Sequence, residues 1–264
     1  MTNRPLALIT GASSGIGAAM ALTFAERGHD LVLLARRRDR LQEVATRAGE
    51  RGAAVETLAA DLSTPEGLAA AAERAAAGDV RLLISNAGAS GYAPLQNVPA
   101  ADLDALWRLN ATAPVTLAHA VLPSLLARGE GGIMAVASLL AFSGGLSAPG
   151  MPARTLYAAA KSATVTFVRT LAGELAGSGV HATVVCPGQV ATEWSGGANR
   201  NRPDAMTPEE VATAAAVAVA RRETVCVPGL AGPEALDRLQ EAERALLAAG
   251  SRSSLAERYA TAAP

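Results

Sequence analysis

Tyr157 and Lys161 form the pair of residues whose types and spacing point most directly to chemistry in this sequence. They are four positions apart in a run of helix-forming residues, so they share one face of a predicted helix. A free tyrosine has a pKa of about 10, and a nearby cation favours the phenolate and lowers that pKa. We therefore expect Lys161 to lower the pKa of Tyr157, so that the phenol can exchange a proton with a substrate oxygen.

The amino-acid usage of the chain strengthens this interpretation. The sequence contains 23 basic residues, and Lys161 is the only lysine among them. A Tyr-x3-Lys pair taken alone is more typical of a helix surface. Arginine keeps its proton and has a different shape, so it does not replace lysine in proton chemistry. A chain that otherwise uses arginine but places its one lysine four residues after Tyr157 indicates a specific chemical need there.

A glycine-rich segment near the N-terminus supplies a second candidate site. It reads Thr-Gly-Ala-Ser-Ser-Gly-Ile-Gly at residues 10–17, after a short apolar strand and at the start of a helix. Glycines allow a tight turn and a close approach of backbone N–H groups to a pyrophosphate, which the helix N-terminus also attracts. The segment contains no lysine and so is not a P-loop. An ordinary strand-to-helix turn is the alternative, but the position after the first strand favours nucleotide binding.

Strand-like and helical segments alternate along the whole chain. The strand-like runs are continuously apolar, as in strands buried on both faces, and their alternation with helices predicts a parallel sheet. The predicted fold class is therefore α/β: a Rossmann-like doubly wound parallel sheet of about seven strands, with helices on both faces. Because no repeat or linker interrupts the pattern, we expect a single domain over residues 1–250 and a C-terminal tail over 251–264.

Composition narrows the possible partners and location. The chain has 50% hydrophobic residues and a net charge of −1, so it can bury a core but does not attract nucleic acid by charge. The longest Ala/Val-rich stretch, residues 211–220, is shorter than the roughly 20 residues that span a bilayer, so we expect no membrane partner. The N-terminus shows no signal-peptide pattern, which favours a cytoplasmic protein.

Cys186 and Cys226 are interpreted as buried thiols, and the three scattered histidines predict no metal site.

The motifs together resemble those of one protein family. Residues 10–17 look like the cofactor loop of the short-chain dehydrogenase/reductase (SDR) family. The remaining motifs, in chain order, are Asp61-Leu62 after the third strand, Asn86-Ala87-Gly88 after the fourth, Asn110 in the helical region that follows, Ser138 at the end of the fifth strand, Tyr157 with Lys161, Pro187-Gly188 after the sixth strand, and Thr192. Each motif is weak alone, but their order is specific, and the resemblance covers roughly residues 5–230.

The resemblance implies a catalytic set made of Asn110, Ser138, Tyr157 and Lys161. Tyr157 would act as acid or base, and Ser138 would hydrogen-bond the same substrate oxygen. Lys161 would also bind the nicotinamide ribose, and Asn110 would hold a water that links Lys161 to solvent. The implied cofactor contacts are Gly11, Ser13, Ser14, Gly15, Ile16, Gly17, Asp61, Leu62, Asn86, Ala87, Gly88, Tyr157, Lys161, Pro187, Gly188, Val190 and Thr192.

The end of the second strand favours NADP(H) over NAD(H). NAD enzymes carry an acid there, whereas NADP enzymes place arginine nearby. Residues 35–38 read Ala-Arg-Arg-Arg, with no acid at the strand end. Arg36, together with Arg37, can hold a 2′-phosphate in fork geometry. The alternative is a solvated basic start of a helix, but that arrangement opposes the helix dipole, which makes a phosphate partner more plausible.

The loop before Tyr157 departs from the family pattern. Ser138 and Tyr157 are 19 positions apart, whereas the family separates this pair by about a dozen. The surplus lies in residues 143–155 and would reshape the mouth of the substrate pocket. We favour Ser138 because it directly follows a strand, but Ser143 or Ser147 could reach inward instead.

These observations predict an NADPH-dependent oxidoreductase that interconverts a carbonyl and a secondary alcohol. The expected substrate contacts are Ser138, Tyr157, Tyr92 and Trp194, with a lid over about residues 188–210; Trp194 could equally be a packing residue of that lid. The alternatives are a sugar-nucleotide-type epimerase or dehydratase and a non-enzymatic NADP-binding regulator on the same fold. The apolar surfaces of two helices, residues 111–128 and 156–176, predict a homodimer or homotetramer.

Overall fold

The structure is a computed structural model that describes residues 4–197 and 199–259. Seven parallel strands form the centre of this part of the chain. The strands run in the order β3-β2-β1-β4-β5-β6-β7, and each neighbouring pair is parallel. Their bounds are β1 Leu6–Thr10, β2 Asp30–Ala35, β3 Val55–Ala59, β4 Val80–Ser85, β5 Gly131–Val136, β6 Val180–Val185 and β7 Val225–Cys226. The strand order reverses between β1 and β4, which is where doubly wound sheets open a ligand crevice at their carboxyl ends.

Helices alternate with the strands along the chain. Their bounds are α1 Gly15–Glu26, α2 Arg38–Gly49, α3 Pro65–Ala75, α4 Ala100–Trp107, α5 Ala113–Arg128, α6 Thr155–Glu174, α7 Trp194–Gly197, α8 Pro208–Arg221 and α9 Glu234–Gly250. In α7, Ser195 and Gly196 have left-handed backbone angles, so this element is a distorted single turn. A π-helical turn at Arg108–Thr112 joins α4 to α5.

The apolar side chains form one core on each face of the sheet. The helices α1, α2 and α8 pack on one face, and α3, α5 and α6 pack on the other. Cys226 belongs to the first core and Cys186 to the second, so the sheet separates these two buried free thiols. The layered arrangement confirms the predicted α/β fold class, with seven strands and helices on both faces.

The helical region before β5 is continuous across α4, the π-helical turn and α5. From Ala100 to Arg128 the chain is helical throughout, and this stretch is long and apolar enough to cross a membrane by length and composition alone. Its α5 part instead buries Leu117, Val121 and Leu125 in the core. The same length and composition are typical of a core helix, so the stretch is weak support for a membrane span.

The chain forms two compact units, residues 1–228 and 229–264. The sheet and α1 to α8 belong to the first unit. The second contains α9, in which no residue is buried, and which exposes Leu246 and Leu247. The division falls before residue 250, so the expected domain limits of 1–250 remain a prediction. The last part of the expected tail, residues 260–264, lies outside the described residues.

The start of α8 carries a capping box that suggests a test of the local structure. The side chain of Thr207 accepts a hydrogen bond from the Glu210 backbone N–H at 3.1 Å, and Glu210 Oε2 accepts one from the Thr207 N–H at 2.8 Å. We expect Thr207→Ala to lower the free energy of unfolding by about 1 kcal/mol, measured by urea denaturation. Thr46→Ala is the control, because Thr46 lies within α2 and its hydroxyl bonds only the Gln42 carbonyl of the preceding turn. Equal losses in the two variants would contradict the capping role.

Candidate active site

The candidate site lies where the carboxyl ends of β1, β4, β5 and β6 meet. Thr10 ends β1 and Asn86 follows β4, and the two residues tie these strand ends together. The Thr10 hydroxyl accepts the backbone N–H groups of Asn86 and Ala87, each at 3.0 Å, and Asn86 Nδ2 donates to the Thr10 carbonyl at 3.0 Å. The Asn-Ala-Gly motif thus fixes the crevice at the point where the strand order reverses.

Two glycines of the loop after β1, Gly11 and Gly17, have no room for a side chain. A Cβ on Gly17 would lie 2.3 Å from the Gly11 carbonyl oxygen, and a Cβ on Gly11 would lie 2.8 Å from Asn86 Nδ2. Gly11 and Gly15 also have φ angles of +67° and +54°, which other residues rarely adopt. The backbone of α1 can therefore start close to β4, and Ile16 packs against the core beneath it.

The N-terminus of α1 has the features of an anion site. Ser14 is the N-cap residue, but its side chain makes no capping hydrogen bond to the helix. Its hydroxyl instead accepts from Arg37 Nη2 at 2.6 Å, so the first N–H groups of α1 remain available to a phosphate. We call the glycine loop of residues 10–17 the cradle. The cradle, the free start of α1 and the adjacent guanidinium of Arg37 fit the pyrophosphate and a further phosphate of a nicotinamide dinucleotide.

The two arginines after β2 have different surroundings. Arg36 is well exposed and lies 3.6 Å from the carboxylate of Asp61. Although partial burial raises the pKa of Asp61, hydrogen bonds from Ser63 and the charge of Arg36 leave it below its ordinary value. Arg37 lies across the glycine loop and also donates to Ser13 at 3.3 and 3.4 Å. Sequence reasoning placed Arg36 first, but the structure puts Arg37 against the cradle.

The last strand-end motif comes from the loop after β6. Pro187 accepts a hydrogen bond from the Leu139 N–H at 2.9 Å, which joins this loop to the end of β5. Thr192 approaches the glycine loop, since a Cβ on Gly15 would lie 3.2 Å from its methyl group. Three expected cofactor contacts differ in exposure: Gly188 is exposed, whereas Val190 and Leu62 are buried. The side chains of Val190 and Leu62 therefore do not lie on the open surface of the crevice.

Tyr157, Lys161 and Ser138 come together at the end of β5. Tyr157 stands in the first turn of α6 with a nearly fully buried side chain, and the side chain of Ser138 is close enough to influence its pKa. Lys161 lies one turn later, with Nζ 5.9 Å from the centre of the Tyr157 ring. Lys161 Nζ donates to the Val136 carbonyl at 2.9 Å. The predicted shared helix face is present, and it faces the carboxyl end of the sheet.

The pKa of Tyr157 departs from our expectation. Burial raises it, and the neighbouring Tyr92 adds to the rise, while the hydrogen bond from Ser138 opposes it. Lys161 donates its hydrogen bond to the strand carbonyl and not to the phenol, and its ammonium does not reverse the rise. The pKa of Tyr157 is therefore shifted upward, opposite to the direction expected from Lys161, and the phenol holds its proton at neutral pH.

Lys161 itself is strongly affected by its position. Burial lowers its pKa to about 8, and the nearby Cys186 opposes the shift slightly. A buried ammonium costs free energy unless other groups compensate it. Near neutral pH this lysine is therefore close to releasing its proton, which is unusual for an amine and typical of functional sites.

Asn110 lies in the π-helical turn, and Pro114 explains why that turn exists. In a regular helix the Asn110 carbonyl would accept from residue 114, but proline has no N–H and its ring clashes with that carbonyl. The Asn110 carbonyl accepts from the hydroxyl of Thr164 on α6 at 3.0 Å instead. The Asn110 side chain exchanges hydrogen bonds with both backbone groups of Ala89. A Cβ on Gly88 would lie 2.9 Å from Asn110 Oδ1, so this side chain borders the site.

The structure distinguishes the three serines near Tyr157. Ser143 donates to the Leu140 carbonyl at 2.7 Å and accepts from Arg154 Nε at 2.8 Å, so its hydroxyl is engaged within the long loop. Ser147 is exposed. Ser138 is buried, and of the three serines it is the one that affects the pKa of Tyr157. Arg154 anchors the extra residues of this loop away from the tyrosine.

Two aromatic side chains cover Tyr157. The Tyr92 ring meets it edge-on with centres 5.1 Å apart, and the Trp194 ring lies 5.8 Å away. Tyr92 also lines a cavity together with Ser90, Leu106 and Ser195. The structure thus places both predicted substrate contacts beside the tyrosine.

Glu193 is a residue that sequence reasoning missed. Its carboxylate pairs with Arg37 at 3.0 Å and with Arg40 at 2.5 Å, and Arg200 lies 3.7 Å away. The hydrogen bonds from Arg40 and Arg37 lower the pKa of Glu193 to about 2. It is 156 positions from Arg37 in sequence, so only a single acid beside a predicted lid tryptophan could have drawn attention to it.

Comparison with known proteins agrees with this geometry. The family model for short chain dehydrogenase matches residues 5–203. The chain is 36% identical over 191 residues to a 1-deoxy-11-beta-hydroxypentalenate dehydrogenase of Streptomyces exfoliatus, covering 70% of this chain and 67% of that protein. It is 35% identical over 192 residues to a short chain dehydrogenase of Pseudocercospora fijiensis, covering 71% of this chain but only 60% of the fungal protein.

Solved structures cover nearly the whole chain. A short-chain dehydrogenase from Sphingobium yanoikuyae in complex with NADPH superposes with a TM-score of 0.90 and 37% identity, covering 97% of this chain and 100% of that one. A bulky-bulky ketone specific alcohol dehydrogenase from Comamonas testosteroni gives a TM-score of 0.88 and 33% identity, covering 98% and 100%. The chain therefore belongs to the short-chain dehydrogenase family, and it is an NAD(P)-dependent oxidoreductase.

The contact between Gly17 and Gly11 gives a direct test of the cradle. Gly17→Ala would place a Cβ 2.3 Å from a backbone oxygen, so the loop must move. Such overlap costs about 1–3 kcal/mol, and we expect NADPH affinity to fall about tenfold or more in a fluorescence titration. Gly49→Ala in α2 is the matched control, since a Cβ there meets open space. Unchanged NADPH affinity in Gly17→Ala would contradict this account of the loop.

The buried ammonium of Lys161 predicts a pH dependence of stability. Between its folded pKa of about 8 and its ordinary value of 10.5, the unfolded chain binds more protons, so this group makes the unfolding free energy rise with pH. Lys161→Met lacks this effect. We expect the variant to be more stable than the parent by about 3 kcal/mol near pH 7, with the difference shrinking towards pH 10.5.

Chemical denaturation of both proteins at several pH values measures this difference. The other titrating groups largely cancel because both proteins carry them. A difference that stays constant from pH 8 to pH 10.5 would show that Lys161 keeps its ordinary pKa.

Proposed function

We propose that this protein interconverts a carbonyl compound and a secondary alcohol, using NADP(H) in preference to NAD(H). The observation that carries the proposal is the arrangement at the end of β5, where Ser138 and Lys161 flank the buried hydroxyl-bearing side chain of Tyr157. This arrangement provides a proton donor, a second hydrogen-bond donor and a cation within one small site.

The chain's own residues divide the work of the reaction. The cofactor, when bound, supplies or accepts the hydride. Tyr157, kept protonated by its burial, gives its phenolic proton to the substrate oxygen in the direction of reduction. Ser138 hydrogen-bonds the same oxygen and stabilises the negative charge that develops there. Lys161, one turn along α6, offsets the charge left on the phenolate and can return a proton towards it.

The arginines after β2 support the preference for NADP(H). Arg37 lies against Ser13 and Ser14 of the cradle, and Arg36 stands beside Asp61, so two guanidinium groups flank the expected ribose position. Guanidinium groups bind phosphates in a fork geometry that suits a 2′-phosphate. The relative from Sphingobium yanoikuyae was solved with NADPH, which agrees with this proposal.

The walls of the pocket suggest the kind of carbonyl compound. Tyr92 and Trp194 present aromatic surfaces beside Tyr157, which favours a ketone with apolar substituents. The similar structure from Comamonas testosteroni is described as specific for bulky-bulky ketones, in keeping with such a pocket. No feature of the site favours the epimerase alternative, and the dehydrogenase relatives argue against a regulator without activity.

We also propose that two or four copies assemble. The apolar residues Val115 and Leu126 are exposed on α5, where a second subunit could cover them.

A panel of ketones, keto-esters and quinones tests the proposal, with oxidation of NADPH and of NADH followed in parallel. We expect NADPH to give the higher kcat/KM for the best ketone. Tyr157→Phe should lower kcat about 100-fold or more, because it removes the proton donor and keeps the ring.

Tyr259→Phe is the control for this experiment, since Tyr259 is exposed in the second unit. Faster turnover with NADH would overturn the cofactor preference, and an active Tyr157→Phe variant would overturn the proposed proton donor.

A further inference from the structure

One segment of two residues reaches both ends of the candidate cofactor site. Glu193 and Trp194 are neighbours in the loop after β6, and their side chains lie against different groups. The Glu193 carboxylate pairs with Arg37 and Arg40, at the side of the site where the 2′-phosphate is proposed to bind. Trp194 lies against Tyr157, at the side where the reaction is proposed to take place.

The carboxylate of Glu193 holds the place of an anion. Arg37 uses one nitrogen for Glu193 and another for the hydroxyl of Ser14 in the phosphate cradle. Guanidinium groups bind carboxylates and phosphates in the same way. A phosphate on Arg37 would stand within a few ångströms of Glu193, and the two negative charges would repel each other. Glu193 and a 2′-phosphate therefore compete for the same guanidinium.

The indole of Trp194 reaches into the site at the other side. A Cβ on Gly88 would lie 3.5 Å from Trp194 Cη2 and 3.4 Å from Lys161 Nζ, so the indole and the ammonium border the same small space. Gly88 belongs to the motif expected to line the cofactor site. With the indole there, the space in front of Tyr157 is partly filled.

The backbone joins these two contacts mechanically. The loop is fixed at its base, because Ala191 N–H donates to the Met206 carbonyl at 2.8 Å and Met206 N–H donates to the Gln189 carbonyl at 3.0 Å. Glu193 and Trp194 follow this fixed point directly. Beyond them, Ser195 and Gly196 have left-handed backbone angles, so the chain turns sharply. Because the two residues are adjacent in this sharply turned segment, a backbone movement that takes the Glu193 carboxylate away from Arg37 also displaces the indole of Trp194.

We propose that Glu193 is a latch that couples the 2′-phosphate site to Trp194. Binding of a 2′-phosphate to Arg37 and Arg40 releases Glu193, and the release withdraws the indole from Tyr157. The 2′-phosphate thus increases the affinity for the cofactor and also clears the space in front of Tyr157 for the substrate. NAD(H) lacks this group, so its nicotinamide half must displace the indole without the release of Glu193. The inference rests on the proposed NADP(H) preference, and it assigns to Glu193 a role in cofactor discrimination.

Trp194 itself can report on the latch. The chain has two tryptophans, and Trp107→Phe leaves Trp194 as the only one. The probes are 2′,5′-ADP, which carries the 2′-phosphate but no nicotinamide, and 5′-AMP, which carries neither. We expect 2′,5′-ADP at saturation to change Trp194 emission, while 5′-AMP at saturation leaves it unchanged. Calorimetry on the same protein establishes the saturation and the two affinities.

Glu193→Gln, added to Trp107→Phe, separates the charge from the shape of the side chain. We expect this variant without ligand to show the emission that 2′,5′-ADP produces in the parent, and to respond little to further ligand. It should bind 2′,5′-ADP about three- to fivefold more tightly, the size of effect that exposed ion pairs usually give. Glu209→Gln is the matched control, since Glu209 is an exposed acid in the first turn of α8, and it should behave as the parent.

The outcomes separate the two proposals. Tight binding of 2′,5′-ADP with no change in Trp194 emission overturns the latch and leaves the NADP(H) preference standing. The same response in Glu193→Gln as in the parent also overturns the latch. Equal affinities for 2′,5′-ADP and 5′-AMP would overturn the cofactor preference, and the latch would fall with it.

Discussion

The junction of β1 and β4 is the constraint on which the rest of the site depends. The hydroxyl of Thr10 and the amide of Asn86 tie the two strand ends together, and Gly17 lets α1 begin against the Gly11 carbonyl. Any larger side chain at this contact would push α1 away from the sheet. The close approach leaves the first N–H groups of α1 at the crevice, which is where a dinucleotide phosphate is stabilised by the helix N-terminus.

The chemistry depends on burial as much as on residue type. Tyr157 and Lys161 are both almost excluded from water, so each favours its neutral form more than it would in solution. Burial alone raises the pKa of the phenol and lowers that of the ammonium, so the two pKa values move apart. A new charge or hydrogen bond that enters the site is needed to bring them together. Binding of cofactor and substrate therefore has to supply the charges and hydrogen bonds that make proton transfer from Tyr157 favourable.

Charge also links the loop after β6 to the start of α2. Arg37 faces three groups of different origin: the serines of the glycine loop, the acid Glu193, and the phosphate proposed to bind there. One guanidinium thus senses both the cofactor cradle and the segment that carries Trp194. Exposed ion pairs contribute little to stability, so an arrangement of this kind can exchange partners without threatening the fold.

The fold class, the order of the motifs and the pairing of Tyr157 with Lys161 could all be predicted from the sequence, because hydrophobic periodicity and helical spacing are local properties. The sequence also pointed to Ser138, which follows a strand directly. Two contacts emerge only in the folded protein: Arg37 rather than Arg36 lies on the glycine loop, and Glu193 meets both Arg37 and Arg40. The pKa of Tyr157 is also shifted upward, whereas the sequence led us to expect a downward shift. These features depend on contacts between segments far apart in the chain and on the exclusion of water, and neither leaves a periodic trace in the sequence.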